Sequence, residues 1–590
     1  MPVAHTPSAF RRRFFDSGDR FMAIGGGSVG GKAEGLALFQ NILRSSFDLK
    51  EFPEFDIDIP TLSVVRTDVF DAFMERNGLR EIAASAESDD HIAHAFQRAD
   101  LPVEIVGDLR ALIKQVTTPL AIRSSSMLED SLNEPFAGIY ETKMIPNNQL
   151  DPDIRFRKLT EAIKFVYATT FFKAAKDYRK ATGHGALEEK MAVIIQEVVG
   201  SRHGDRFYPN ISGVARSFNF YPLGKAKPTE GVVSLALGLG KTIVDGGNCW
   251  TYSPAYPKAT PPYGSMKEWL RQTQTSFWAV NMGKPPAYDP IRETEYLVEA
   301  DLGASEADDT IRPVASTYNS ASERITIGTG IQGPRIVTFA PVLVSNGPPL
   351  NPVIQKLLAA CQQQVGSPVE IEFALTLNPL KFGCLQVRPM VVSDEEIDVP
   401  DSDLRGPETL VASERVMGNG VLSTIRDVVY VKPDGFEAKN TPRIAQELEM
   451  MNRALLDGGR PYLLIGFGRW GSSDPWLGIP VNWGQVSGAR VLVEATLPSM
   501  DIELSQGSHF FHNITSFRVS YFPVRHAGPY AIDWAWLNGR PAEAETAFCR
   551  HVHLSTNLLV KVDGRTGRGT VLKSDSASVA RNPDHGRKVR

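Results

Sequence analysis

The chain has 590 residues, of which 42% are hydrophobic and 22% charged, with a formal net charge of −5. Those values describe an ordinary globular protein of three or four domains, and the small negative balance argues against nucleic acid or an acidic membrane as the main partner. Four cysteines (Cys249, Cys361, Cys384 and Cys549) lie far apart without a C-x-x-C pair, which argues against a disulfide scaffold and a cysteine zinc site.

Residues 1–18 read as a loose arm. Arg11-Arg12-Arg13 is followed only by Phe14-Phe15 before charge returns, so no signal-peptide core is present. No stretch approaches the ~18 apolar residues of a membrane span, and the expected location is cytoplasmic. Phe21-Met22-Ala23-Ile24 is a short apolar run that feeds Gly25-Gly26-Gly27-Ser28-Val29-Gly30-Gly31-Lys32. Glycines let backbone N–H groups approach phosphate oxygens, and a lysine adds positive charge. The spacing G-x-x-x-x-G-K is met from Gly26 to Lys32, but Ala33 stands where a P-loop needs Ser or Thr for Mg²⁺. A Gly-rich turn ahead of a helix over 33–43 accounts for the same residues without a ligand.

Leu120-Ala121-Ile122-Arg123 reads as a strand ending in arginine, followed by a hydroxyl-rich loop that begins Ser124-Ser125-Ser126. Guanidinium binds phosphate bidentately, so this is a reasonable phosphate clamp. Leu159, Ile163, Val166, Tyr167, Thr170, Phe171, Ala174 and Tyr178 predict one long helix over 155–181. Buried strands are expected over 191–199 and 231–237. Residues 254–290, rich in Pro, Lys and aromatics, read as an insertion or long loop.

Val369 to Leu375 and Cys384 to Arg388 predict a strand pair. Alternate side chains point to opposite faces, so Glu370 and Glu372 share one face, and Gln386 and Arg388 share another. A hairpin through Asn378-Pro379 and Gly383 would bring two carboxylates, an amide and a guanidinium together. Oxygen donors of this kind suit Mg²⁺ with substrate phosphates; an exposed sheet face with ordinary charges would look the same.

Asp394–Ser413 is the clearest linker. Beyond it, Gly466-Phe467-Gly468-Arg469-Trp470-Gly471 matches G-x-G-x-x-G, but the turn-like Ser472-Ser473-Asp474-Pro475 follows where a dinucleotide fingerprint needs a helix. That stretch reads as an aromatic, Gly-rich surface loop. A strand is expected over 488–494, ahead of Gly507-Ser508-His509. His551 and His553 alternate on an expected strand and, with no carboxylate or thiol at ligand spacing, read as structural. Residues 565–590 carry seven Lys or Arg against two Asp and read as a disordered basic tail.

Taken in order, these pieces resemble the ATP-binding domain of the phosphoenolpyruvate synthase and pyruvate phosphate dikinase family. The family reads like G-G-K, then (A/V)-x-R-S-S-x-x-E-D, F-A-G-x-x-E-T, M-A-V-x-x-Q, S-G-V-A, G-L-G, D/E-x-E and Q-x-R-P. This chain has Gly30-Gly31-Lys32, Ala121 to Asp130, Phe136 to Thr142, Met191 to Gln196, Ser212 to Ala215, Gly238-Leu239-Gly240, Glu370-Ile371-Glu372 and Gln386 to Pro389. Eight motifs in the correct order cover roughly residues 20–392.

The resemblance implies an α/β (α+β) fold: an ATP-grasp-like domain with lobes at 19–205 and 206–393, followed by a smaller α/β swivelling-type domain at 414–535 and an extension at 536–564. It implies ATP and Mg²⁺ as ligands. Lys32 and Arg123 would hold phosphates, Gln196 would meet the adenine, Glu370 would contact the nucleotide, and Glu372 and Gln386 would hold the metal. Arg388 would stabilise charge on the transferred group. His509 is a degenerate match to the family's carrier histidine at a helix N-terminus, though a Gly-Ser-His turn capping a buried helix fits as well. Lys241 stands where the family has Glu after G-L-G, and Phe218-Asn219 where it has an Arg. The 201 residues after Pro389 cannot hold a swivelling domain and a pyruvate barrel of ~250 residues together. The expected function is therefore an ATP-dependent phosphotransferase, an enzyme whose acceptor, small molecule or protein, is left open. The alternative is a sensor or scaffold that binds ATP without turnover. A homo-oligomer is compatible with either.

Overall fold

The computed structural model describes residues 7–573 except 13–19, 127–139, 183–188, 221, 223–224, 246, 260–268, 271–272, 321, 346, 391, 393–396, 473, 501 and 503–518. Among these residues the fold is mixed α/β, built on several sheets with both parallel and antiparallel pairs.

The first six-stranded sheet has the order Ser8–Ala9, Phe21–Ile24, Leu62–Val65, Met191–Glu197, Leu120–Ser126, Lys143–Ile145. Its inner strands Phe21–Ile24, Leu62–Val65 and Met191–Glu197 are buried and largely apolar on both faces, as strands covered on both sides must be, while Leu120–Ser126 is apolar only up to Ile122. The second runs Trp250–Tyr252, Val232–Ala236, Ile211–Arg216, Val369–Leu377, Leu380–Pro389, Asp56–Asp58. One apolar cluster joins the two: Leu62, Val64 and Ile194 lie with Leu235, Ile371, Phe373 and Val387. The helix Gly31–Ser45 contributes Leu36, Phe39 and Ile42 to the same cluster.

That helix approaches the second sheet unusually closely. A methyl group at Gly35 would stand 2.3 Å from the Val387 carbonyl oxygen, so only glycine allows the contact. Lys32 stands one turn earlier on the same helix.

Several expectations change. The arm expected over 1–18 is not loose throughout, because Ser8–Ala9 pairs in parallel with Met22–Ala23 and Arg12 bonds Asp108 at 2.8 Å. The single helix expected over 155–181 is two, Pro152–Thr169 and Lys173–Thr182. Phe171 and Tyr167 stack around Phe70 at the break, with centroids 6.2 and 5.0 Å from it, so tertiary packing ends a pattern that periodicity alone carries on. Within the expected insertion, Ser276–Asn281 is an inner strand of a four-stranded sheet with Leu297–Asp301, Arg206–Tyr208 and Ser201–His203. Just after it, Pro290 accepts a hydrogen bond from Lys143 Nζ at 2.7 Å, and Lys143 forms a buried ion pair with Glu295, also at 2.7 Å.

The C-terminal region is one large sheet with the order Thr409–Ser413, Arg568–Leu572, Cys549–Asp563, Gly420–Val431, Tyr462–Phe467, Ala489–Ala495, Ser520–Val524. The helix Thr441–Asp457 makes the crossover that the parallel pair Gly420–Val431 and Tyr462–Phe467 requires. Three assignments are corrected by this sheet. The end of the expected linker, Thr409–Ser413, is a strand. The expected extension supplies Cys549–Asp563, an inner strand with partners on both sides. The expected disordered tail begins with Arg568–Leu572, which pairs with both Thr409–Ser413 and Cys549–Asp563. Backbone pairing on both sides, with Val571 buried, orders a segment whose average composition is polar. The G-x-G-x-x-G stretch continues into the short strand Arg469–Trp470, paired with Gly478–Ile479, and among the described residues no helix opens there. Trp470 is buried and donates to the Val493 carbonyl at 3.2 Å, so the surface-loop reading fails at that residue.

Candidate active site

The Gly-rich segment is held by its neighbours. Gly26 N–H donates to Asp68 at 2.6 Å and Ser28 N–H to Thr67 at 2.9 Å. Gly30 has φ 79°, and a side chain there would run into the Ser125 carbonyl oxygen at 1.8 Å. Ser125 in turn receives the Ala33 N–H at 3.2 Å and donates to the Val29 carbonyl at 2.9 Å. Ser124–Ser126 thus belong to the strand, not to a loop, and Ser125 serves to seat the glycine turn. Lys32 is buried and donates to Ser124 Oγ at 3.2 Å.

Arg123 is the centre of the cluster. Its guanidinium donates to the Leu385 carbonyl at 2.6 Å, to Gln386 Oε1 at 3.0 Å, to Glu372 Oε2 at 3.3 Å and to Gln196 Oε1 at 3.4 Å. Among the described residues the Nε2 of Gln196 is buried without a hydrogen-bond partner, a donor that a bound base could satisfy. Sheet register explains the rest. Glu370 lies opposite Arg388 and Glu372 opposite Gln386, with a bulge directly after Glu372. The turn between the strands is shorter than expected, only Asn378-Pro379, because the strands run Val369–Leu377 and Leu380–Pro389.

Glu370 is buried, and both of its oxygens are taken by guanidinium groups. Arg216 Nε donates to Oε2 at 2.6 Å, and Arg388 donates to Oε1 at 2.5 and 2.8 Å. Arg388 also approaches Glu372 at 3.9 Å. Arg216 is the residue the sequence reading missed. It stands opposite Glu370 in the strand pair and is the polar end of the apolar run Ile211–Ala215, which was the available signal. Phe218, where the family would have Arg, packs edge-on against Phe220 at 4.9 Å, so the guanidinium at this strand end comes from Arg216.

Lys241 begins a short helix and pairs with Glu293 at 3.1 Å and Asp245 at 3.2 Å. Burial alone would lower its ammonium, but the two carboxylates outweigh that and hold it above the ordinary lysine value. Nearby Glu141 is pushed up to about 7, first by burial and then by the negative charge of Glu293, with which it shares a hydrogen bond. A carboxyl raised on folding keeps its proton in the native state. Stability is therefore expected to fall as pH rises from the ordinary glutamate value to about 7. Glu141→Gln should flatten that slope in a urea-unfolding series across the window, and an unchanged slope would remove the assignment.

Arg123, Gln196, Glu372, Gln386 and, through Glu372, Arg388 are thus connected in one cluster, while Lys32 bonds Ser124, the residue after Arg123 in the strand. The Glu372 carboxylate and the Gln386 amide oxygen face the same guanidinium, and hard oxygen donors so placed fit Mg²⁺. His509 lies outside the described residues, as do Glu129, Asp130 and the stretch 136–138 of the expected motifs.

Residues 27–405 match the model of the pyruvate phosphate dikinase AMP/ATP-binding domain. The chain belongs to this family. Among curated relatives, an uncharacterized phosphotransferase of Bacillus subtilis (strain 168), YvkC, is 25% identical over 199 residues, 34% of this chain and 21% of that protein. A rifampicin phosphotransferase of Streptomyces sviceus is 26% identical over 196 residues, 33% of this chain and 19% of that protein. The chain thus spans about a fifth of the length of these relatives. Among the described residues, no helix is long and apolar enough to cross a membrane.

Proposed function

We propose that the chain is an ATP-dependent phosphotransferase of the dikinase superfamily that binds Mg–ATP at the Arg123 cluster. Lys32 and Arg123 hold the phosphates, Gln196 meets the base, and Arg388 balances charge on the transferred group. Glu372 and Gln386 would hold Mg²⁺, which offsets phosphate charge. Glu370, both oxygens engaged, acts by orienting Arg216 and Arg388. The observation that carries the reading is Arg123 bonded at once to Gln196, Glu372 and Gln386, three residues the family motifs single out from distant parts of the sequence. Phosphoryl transfer needs mainly positioning and electrostatic stabilisation, and this cluster has the parts for both.

Turnover is tested by incubating the full chain with Mg²⁺ and ATP labelled at the β-phosphate. The expected result is AMP, with acid-labile, base-stable label on the protein that is lost in His509→Ala and kept in His512→Ala. The chemistry would be attack of a neutral imidazole nitrogen on phosphorus, with departure of the AMP oxygen. Label that survives His509→Ala overturns the carrier assignment. The second reading, an ATP-binding sensor without turnover, draws on Lys241, whose charge is balanced by Glu293 and Asp245 where the family has an acid. Calorimetric ATP binding with no AMP formed would decide for it.

A further inference from the structure

The C-terminal sheet gathers two histidines and two carboxylates that the activity above does not use. His551 and His553 lie on one face of Cys549–Asp563. On the neighbouring strand Gly420–Val431, Asp427 stands opposite His553. On the other side, Ala542–Glu545 pairs with the histidine strand through a register irregularity between Ala542 and Ala544, and Glu543 is the residue it displaces. Bulges of this kind re-aim a side chain. Asp427 Oδ1 lies 2.8 Å from His551 Nε2 and 2.9 Å from His553 Nδ1. Single ligand atoms of Asp427, Glu543 and His551 all lie within 4.8 Å of one another, and Glu543 Oε2 is 3.9 Å from His553 Nδ1.

Arg460 is the cation in this bowl. It donates to Asp427 at 2.5 and 3.2 Å and to Glu543 at 2.7 and 2.8 Å, and stands 2.9 Å from His553 Nδ1. Two features leave the arrangement unbalanced. Two carboxylates against one guanidinium give a net charge of −1 when both imidazoles are neutral. His553 Nδ1 also faces a donor, Arg460, and an acceptor, Asp427, and a ring nitrogen serves only one of them. Lys432 and Arg550, the nearby basic residues, are directed at Glu545. A metal ion at the centre would use the lone pairs of both nitrogens and the carboxylate oxygens together. Asp427 and His551 form a buried floor, while Glu543 and His553 form an open rim.

We propose that Asp427, Glu543, His551 and His553 form a site for a divalent transition-metal ion of the zinc class, with Arg460 as the resident competitor that swings to solvent when the metal enters. Imidazole with carboxylate is a donor set for zinc and its neighbours rather than for Mg²⁺ or Ca²⁺.

The test is calorimetric titration of the chelator-treated full chain with Zn²⁺, and with Co²⁺ followed by its visible absorption. Saturable binding of one ion per chain is expected. Removing even an outer partner of a metal ligand costs about 10- to 100-fold in affinity, so His553→Ala and His551→Ala should each cost at least that. Arg460→Gln should bind more tightly than the parent, and zinc should raise its melting temperature; His553→Ala, at a half-exposed position, guards against misfolding of the buried-site variant. Absence of saturable binding in both the parent and Arg460→Gln overturns the site. So does binding that persists unchanged in His551→Ala and His553→Ala, which would mark adventitious histidines elsewhere. An Arg460→Gln variant that is destabilised and not restored by zinc would identify the cluster as an ion-pair network only.

Discussion

Replacing Arg123 by alanine is expected to weaken Mg–ATP binding about tenfold to a hundredfold, since a charge-assisted hydrogen bond to phosphate contributes roughly 1.5–3 kcal/mol. The effect is direct and indirect at once. The guanidinium offers charge to the phosphates, and it also holds Glu372, Gln386 and the Leu385 carbonyl of the neighbouring hairpin. Arg123→Lys keeps the charge but loses the planar fork that spans these groups. It should therefore recover only part of the affinity. Calorimetry on both variants, with melting temperatures as the folding control, checks the claim. Parent-like affinity in Arg123→Ala would remove the nucleotide site from this cluster.

Much of this site was legible because strands obey a period of two. From Glu370-Ile371-Glu372 and Gln386-Val387-Arg388 alone, a shared polar face follows, and the structure pairs Glu370 with Arg388 and Glu372 with Gln386. Partners set by long-range pairing were not legible in the same way. Arg216 meets Glu370 across 154 positions of sequence, and Asp427 meets His551 across 124. No local pattern reports such meetings, so His551 and His553 read as structural although two carboxylates stand beside them. Composition misled at Arg568–Leu572 for a related reason. A strand next to the sheet's edge needs few apolar residues when its backbone is paired on both sides. Periodicity misled at residues 170–172, where the packing of Tyr167 and Phe171 around Phe70 interrupts a helix that the apolar spacing continues.

The largest stability effect is expected at Glu370. Its carboxylate is 1% exposed and lies between Arg216 and Arg388, whose side chains are 18% and 13% exposed. Glu370→Gln keeps the shape and removes the charge, leaving two guanidinium groups facing each other across a neutral amide. Breaking a buried pair from one side costs about 3–5 kcal/mol, because the remaining charge stays desolvated. The urea midpoint should fall accordingly with an unchanged slope. The repulsion should also be relieved from the other side: adding Arg216→Gln to Glu370→Gln should restore part of the lost stability, a coupling that a double-mutant cycle reads directly. The same variant separates two roles for this carboxylate. If Glu370 only orients the arginines, Mg–ATP affinity in the folded fraction falls with the misplacement of Arg388 and is partly regained in the double variant. If it bonded the nucleotide itself, the double variant would regain stability without regaining affinity.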